Sequence, residues 1–399
     1  MLLGISYLVA YYVMSMAYSF NTLLTNSNYL KVLLFAMWLL MGSNFQAQDR
    51  ILFANGDVGY QCFRIPALVS WSAQELFAFA EGRKDNCGDF GNVDILMRRS
   101  TDGGQTWSPP KVVVDNGNLQ AGNATPLVDW LDPNYPNGRL FLFYNTGTAS
   151  EQETREGRGQ RQGFYITSTD HGQSWSAPIE ITSQFHFDRF STAPEIDSRT
   201  LAFAPGHGLQ LTMGPHKGRL IIPANHSYGP PQDHFKDYRA FVVYSDDHGL
   251  SWQFSEDISL PASNEAMAVQ VHPEKMLLLV RMQDKNYSTK LMASSTDGGA
   301  HWDELWFPEK LTTPMCQSSI LHVPELATTF HLGPASTQER TALSLWYSSD
   351  LGTTWTKKQL LWPGSAAYSD IVYLGEKRLG IFYERKNYQE MVYRSIGVE

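Results

Sequence analysis

Ser100-Thr101-Asp102-Gly103-Gly104-Gln105-Thr106-Trp107 recurs four times further along the chain. The copies are STDHGQSW from Ser168 to Trp175, SDDHGLSW from Ser245 to Trp252, STDGGAHW from Ser295 to Trp302 and SSDLGTTW from Ser348 to Trp355. They share S-x-D-x-G-x-[ST]-W, with His301 the single departure, and begin 68, 77, 50 and 53 residues apart. Ser and Asp side chains cap backbone N–H groups of a tight turn, and Gly supplies positive φ. The closing Trp offers a large apolar surface to the sheet beneath. Strand-like stretches precede the boxes, Val93–Ile95–Met97 before the first and Arg239–Tyr244 before the third. A turn repeated between strands at this spacing predicts an all-β chain, a six-bladed β-propeller with four strands per blade. Residues 48–399 allow about 59 residues per blade, one blade lacking a box. The boxes read as folding devices rather than as chemistry.

The 399 residues carry 31 Lys+Arg against 40 Asp+Glu, a net charge of −9, which argues against a nucleic-acid partner. Hydrophobic residues at 43% and charged ones at 18% describe a chain able to bury a core. Eleven Trp, 19 Tyr and 21 Phe beside 31 Gly and 20 Pro suit short strands and tight turns. Cys62, Cys87 and Cys316 are too few for a disulfide scaffold and form no CxxC zinc spacing. The sequence holds no P-loop, HExxH, GxSxG or GxGxxG, so no cofactor and no metal are expected.

Residues 1–47 read as a signal peptide or N-terminal hydrophobic segment. Lys31 is their only charged residue; an apolar run from Val32 to Gly42 leads to small and polar residues ending at Ala47. A second apolar stretch, Met1–Phe20, points to a start at Met14 or Met16, or to a retained anchor. The expectation is export, to the periplasm or outside the cell, with membrane attachment only if this segment is kept. The propeller would then occupy 48–399, as a monomer.

Phe63-Arg64-Ile65-Pro66 upstream of the first box, together with the repeated boxes, resembles the sialidase (neuraminidase) family, of the bacterial exo-α-sialidase type, over essentially all of Asp57–Glu399. The resemblance implies sialylated glycoconjugates as substrates. It implies three arginines, Arg64, Arg281 and Arg340, around the substrate carboxylate, a task suited to bidentate, charge-assisted hydrogen bonds. Tyr368, in Ala-Ala-Tyr-Ser-Asp, matches the nucleophile, and Glu265 the glutamate that takes its proton. Nearby arginines are expected to favour the phenolate. Asp89 matches the acid/base, with Asp85 and Asp94 as alternatives. Arg83 resembles a further arginine near the carboxylate or the glycerol arm. Glu384 matches a glutamate buttressing Arg64, and Asn123 stands where substrate amide or O4 contacts occur, against a turn-capping role. Segments around His207 and Asn225 resemble others bordering the pocket. Cys62 and Cys87 each precede a site residue by two positions; if the loops meet, a disulfide there would pin the acid/base loop, the alternative being two free thiols. Competing readings are a trans-sialidase on the same framework and a non-catalytic sialic-acid-binding propeller.

Overall fold

A computed structural model describes residues 49–187 and 195–398; the expected leader lies outside them. The described chain is all-β, in antiparallel strands with short connections. After β1 (Arg50–Ala54) come β2 (Cys62–Ser70), β3 (Leu76–Arg83), β4 (Val93–Ser100) and β5 (Lys111–Val114). Next are β6 (Gln120–Asp129), β7 (Arg139–Gly147), β8 (Arg161–Ser168) and β9 (Ile179–Glu180). Then follow β10 (Ser198–Phe203), β11 (Leu209–Gln210), β12 (Leu220–Tyr228), β13 (Tyr238–Ser245) and β14 (Gln253–Phe254). The fourth run is β15 (Ser263–His272), β16 (Lys275–Met282), β17 (Leu291–Ser295) and β18 (Glu304–Trp306). The last strands are β19 (Ser319–Val323), β20 (Thr328–Pro334), β21 (Thr341–Ser348), β22 (Thr356–Tyr373), β23 (Arg378–Arg385) and β24 (Glu390–Gly397).

Each run pairs as a meander. The first two are joined by one parallel bridge, Val93 to Gln120. The 18-residue β22 serves two meanders, pairing with β21 up to Ser365 and with β23 from Ala366. β1 returns from the start of the described chain to pair with β24.

Apolar clusters tie each meander to the next. Phe77 and Met97 pack with Leu140 and Ile166; Phe143 and Tyr165 with Phe203 and Phe241; Ile221 and Val242 with Leu278. Leu277 and Met292 pack with Ile320 and Trp346, Leu345 with Ile381, and Phe382 and Tyr393 with Leu68 and Leu96 of the first meander. The sequence of contacts thus closes on itself.

The boxes fall at the turns β4–β5, β8–β9, β13–β14, β17–β18 and β21–β22. In the first, Ser100 Oγ accepts from Gly104 N at 2.9 Å, and Asp102 accepts from Thr106 N and Oγ1 at 2.8 and 2.6 Å. His301, the odd residue, places Nδ1 2.5 Å from Asp297 Oδ2, where the hydroxyl stands elsewhere. Gly104 sits at φ 86°, and a Cβ there would lie 2.1 Å from Tyr393 Cε1, so no other residue fits. Trp252 and Trp355 are buried; Trp107, Trp175 and Trp302 are only partly so.

Candidate active site

The inner strands lose their regular register where they reach a common pocket. Pairing is interrupted between Arg64 and Ala67 in β2, Gly122 and Thr125 in β6, Ser263 and Ala266 in β15, and Ala366 and Ser369 in β22. The first interruption begins at Arg64, and the others hold Asn123, Glu265 and Tyr368. A bulge re-aims a side chain out of strict alternation, and here it does so four times toward one space. Ile65 and Asn123 have φ of 62° and 56°. Positive φ in a β-branched residue is strained, a conformation held only by its surroundings.

The pocket is lined by Arg64, Arg83, Asp89, Asn123, Glu265, Arg281, Arg340 and Tyr368. Glu384 stands behind it, fully buried. Its carboxylate accepts from Arg64 Nε at 2.7 Å, Arg64 Nη2 at 3.4 Å, Ile65 N at 2.8 Å and Tyr368 N at 3.1 Å. One carboxylate therefore fixes the first arginine and the backbone beside Tyr368.

The Tyr368 hydroxyl donates to Glu265 Oε1 at 2.6 Å and accepts from Arg281 Nη1 at 2.7 Å. Arg281 Nη1 also reaches Glu265 Oε2 at 2.5 Å. Burial drives the phenol well above its ordinary range; Arg281 and Arg340 pull it down without prevailing, and Glu265 pushes it up. The arginines favour the phenolate, as expected, but burial outweighs them and holds the phenol above its ordinary range, with Glu265 in place to take its proton.

The cations are unequally matched. Arg64 pairs with Glu384 and Arg281 with Glu265. Arg340, just before β21, donates only to Tyr388 Oη at 3.1 Å and the Met315 carbonyl at 3.2 Å, with no carboxylate partner among the described residues. Tyr388 lies under the Arg64 guanidinium, 4.1 Å from its ring centre. Nothing in the sequence singled out this tyrosine.

Asp89 lies on the loop between β3 and β4, its side chain 76% exposed. Its Oδ1 accepts from Arg83 Nη1 at 2.8 Å and stands 3.8 Å from Arg64 Nη1. Crowding by the loop pushes the carboxyl up, but Arg83 and Arg64 outweigh this and hold it below the usual range. The loop is anchored three ways: by a Cys62–Cys87 disulfide, by Arg83 Nη1 donating to the Cys87 carbonyl at 2.6 Å, and by Gln120 donating to the Asp89 carbonyl at 2.9 Å. The two cysteines are thus bonded rather than free. Of the alternatives, Asp94 is buried on β4 against the Tyr60 hydroxyl (2.6 Å) and Lys84 Nζ (2.9 Å), and Asp85 is exposed on the loop.

Asn123 lines the pocket, with its amide nitrogen donating to the Phe203 carbonyl at 3.0 Å and its backbone N–H to Glu81 Oε1 at 2.8 Å. Glu81 also grips Arg83 at 2.7 Å. Sequence reading missed Glu81, Gln120, Glu151 and Arg161, all pocket-lining, because each is one polar residue in an ordinary strand or helix-start context.

Residues 74–381 match the model of the BNR repeat-like domain. The chain is 30% identical to a sialidase of Micromonospora viridifaciens, over 84% of this chain and 52% of that protein, so it spans about half of that relative's length. It is 28% identical to sialidase-2 of Cricetulus griseus, over 87% of this chain and 94% of that one. Among solved structures, the Hadza microbial sialidase Hz136 superposes with a TM-score of 0.73 at 22% identity, over 88% of this chain and 68% of that chain, a likeness of fold. The chain belongs to the BNR repeat-like domain family, and the relatives it resembles over most of its length are sialidases.

Proposed function

We propose that the protein is an exo-α-sialidase that releases terminal α-linked sialic acid from glycoconjugates with retention of configuration. The observation that carries this reading is the Glu265–Tyr368–Arg281 contact set beside an arginine, Arg340, without a carboxylate partner. The substrate's carboxylate supplies the missing anion, held by Arg64, Arg281 and Arg340. A carboxylate nucleophile would be repelled by that group, whereas a neutral phenol is not. Glu265 takes the phenol proton as Tyr368 Oη attacks the anomeric carbon. Asp89 gives a proton to the departing glycosidic oxygen and then activates water to release the sugar. The bound carboxylate engages Arg64 and repels Asp89, raising that carboxyl toward the protonated form it needs. Arg83 keeps Asp89 near the reaction centre, Glu384 orients Arg64, and Asn123 faces the ring substituents.

The scaffold in this reading is a six-bladed propeller. Support comes from the meanders, the closed sequence of apolar clusters and the position of β1: as outer strand of the last blade it arrives from the N-terminal end, leaving that blade no third-to-fourth turn to carry a box. Export is part of the same proposal, supported by the Cys62–Cys87 bond, which persists in oxidising compartments. The test is release of free sialic acid from an α-linked sialoside. Wild-type enzyme should release it and Tyr368→Phe should lose most turnover while still binding the sugar; no release by wild type refutes the proposal.

A further inference from the structure

Lys290 is a buried cation that does not line the pocket. It immediately precedes β17, is 1% exposed, and has no carboxylate partner among the described residues. Its ammonium donates to the Cys316 carbonyl and, at 3.4 Å, to the Pro314 carbonyl. Both carbonyls belong to the stretch that leads into β19. Between them lies Met315, whose own carbonyl accepts from Arg340 Nη2 at 3.2 Å. One side chain from the fourth meander therefore grips the backbone on both sides of the carbonyl that holds Arg340.

The ends of this stretch are tied by other groups. Thr313 N donates to the Ser288 carbonyl at 3.0 Å. The Gln317 amide donates to the Pro205 and Ser369 carbonyls at 3.2 and 3.1 Å and accepts from Ser369 N at 3.1 Å. Gln317 thus supports the strand of Tyr368 with anchors of its own. What depends on Lys290 is the middle of the stretch, and with it Arg340.

A buried ammonium met only by carbonyls is costly, and a methionine of similar length would fill the space without that cost. We propose that Lys290 is a positioning residue for the substrate carboxylate: its ammonium fixes the Pro314–Cys316 backbone from which Arg340 is presented. This rests on the sialidase reading above.

The charge gives the role a pH signature. Burial lowers Lys290 to about 7, with Arg281 on β16 and Arg340 acting the same way, while Glu265 on β15 favours the ammonium. The other titratable groups facing it are neutral near that pH: burial pushes the Cys316 thiol up and His331 of β20 down to about 3. A carboxylate arriving at Arg281 and Arg340 favours the ammonium, so the protonated enzyme binds it better and binding takes up a proton. The free enzyme should lose kcat/KM as pH rises through about 7, whereas kcat, which reports the substrate complex, should hold to higher pH.

The experiment measures both profiles for wild type and Lys290→Met on an aryl sialoside, whose leaving group needs no proton from Asp89. At about pH 6 the variant should show KM raised about tenfold with kcat within about twofold. The basic limb of kcat/KM near 7 should vanish in the variant, a change that a merely structural role would not produce. An unchanged KM overturns the proposal. So does a limb that persists in Lys290→Met, which would belong instead to His207, lifted above its ordinary value by Asp370. Wild type alone supplies a second test. Calorimetric titration with 2,3-dehydro-2-deoxy-N-acetylneuraminic acid, in buffers of different ionisation enthalpy, should show proton uptake at about pH 7.5; no uptake is a refutation. If wild type neither cleaves the sialoside nor binds this acid, the sialidase reading fails; if it does both without the limb and the uptake, only this inference does.

Discussion

Glu384→Gln is the most informative single substitution for the integrity of the site. The side chain is fully buried and receives four N–H groups, two from Arg64 and one each from Ile65 and Tyr368. Both oxygens are acceptors only. Glutamine fits the same space but must turn an NH2 group toward donors, whichever way its amide is oriented. Two hydrogen bonds are lost outright, and Arg64, itself 7% exposed, keeps only the exposed Asp89 carboxylate, 3.8 Å away, as a counter-charge. Breaking a buried ion pair by removing one partner costs about 3–5 kcal/mol. At roughly 2 °C per kcal/mol for a chain of this size, the melting temperature should drop by roughly 6–10 °C. Kinetics should change in parallel. Arg64 loses its orientation, raising KM, and the backbone beside Tyr368 loses its anchor, lowering kcat. Thermal unfolding and initial rates on a fluorogenic sialoside read both. A Glu384→Gln enzyme with parental melting temperature and parental KM would refute the claim that this carboxylate organises the pocket.

Opening the Cys62–Cys87 bond with a dithiol reductant, or replacing both residues by Ser, should loosen the loop that holds Asp89. Activity on a natural disaccharide, which needs protonation of its leaving oxygen, should then fall much more than activity on a nitrophenyl sialoside; an equal loss on both would mean general destabilisation instead. Arg281→Ala should raise KM and lower kcat together, because Arg281 touches both the nucleophile and its base; an effect on KM alone would show a purely ground-state role. The box aspartates give a pH signature. Hydrogen bonds from Ser174 hold Asp170 at about 2, and the carboxyls of Asp102, Asp247 and Asp350 are also lowered. A depressed carboxyl contributes stability above its unfolded value and loses it as pH falls through the folded one. The aspartates' contribution should therefore be lost between about pH 4 and 2, below the separate decline that buried His186 and His331, both held at about 3, begin as pH falls through about 6.5; a melting temperature that does not fall between about pH 4 and 2 would contradict this.

What the sequence revealed follows the range of the interactions. The boxes were legible because their hydrogen bonds span four residues or fewer, Gly104 to Ser100 and Thr106 to Asp102, so spacing alone encodes them. That one blade lacks a box was expected, but where and why was not legible, since it depends on β1 joining a strand from the other end of the chain. Site residues became visible through family resemblance, because their partners are remote: Arg64 and Glu384 are 320 positions apart, Tyr368 and Glu265 103. No local pattern carries such a pairing. The register breaks that turn Arg64, Asn123, Glu265 and Tyr368 inward left no mark either, as Ile65 and Asn123 are not residue types that announce a bulge. The upward shift of the Tyr368 phenol required knowing its burial, which outweighs the arginines that the sequence did place nearby.

The central claim is that Tyr368 forms the covalent bond to the sugar. Incubation with a fluorinated sialosyl fluoride, which traps a glycosyl-enzyme, followed by peptide mass spectrometry, addresses it directly. One adduct on the peptide containing Tyr368, absent from Tyr368→Phe, is the predicted result. An adduct on Glu265 or Asp89, or persistence of the label in Tyr368→Phe, would contradict it.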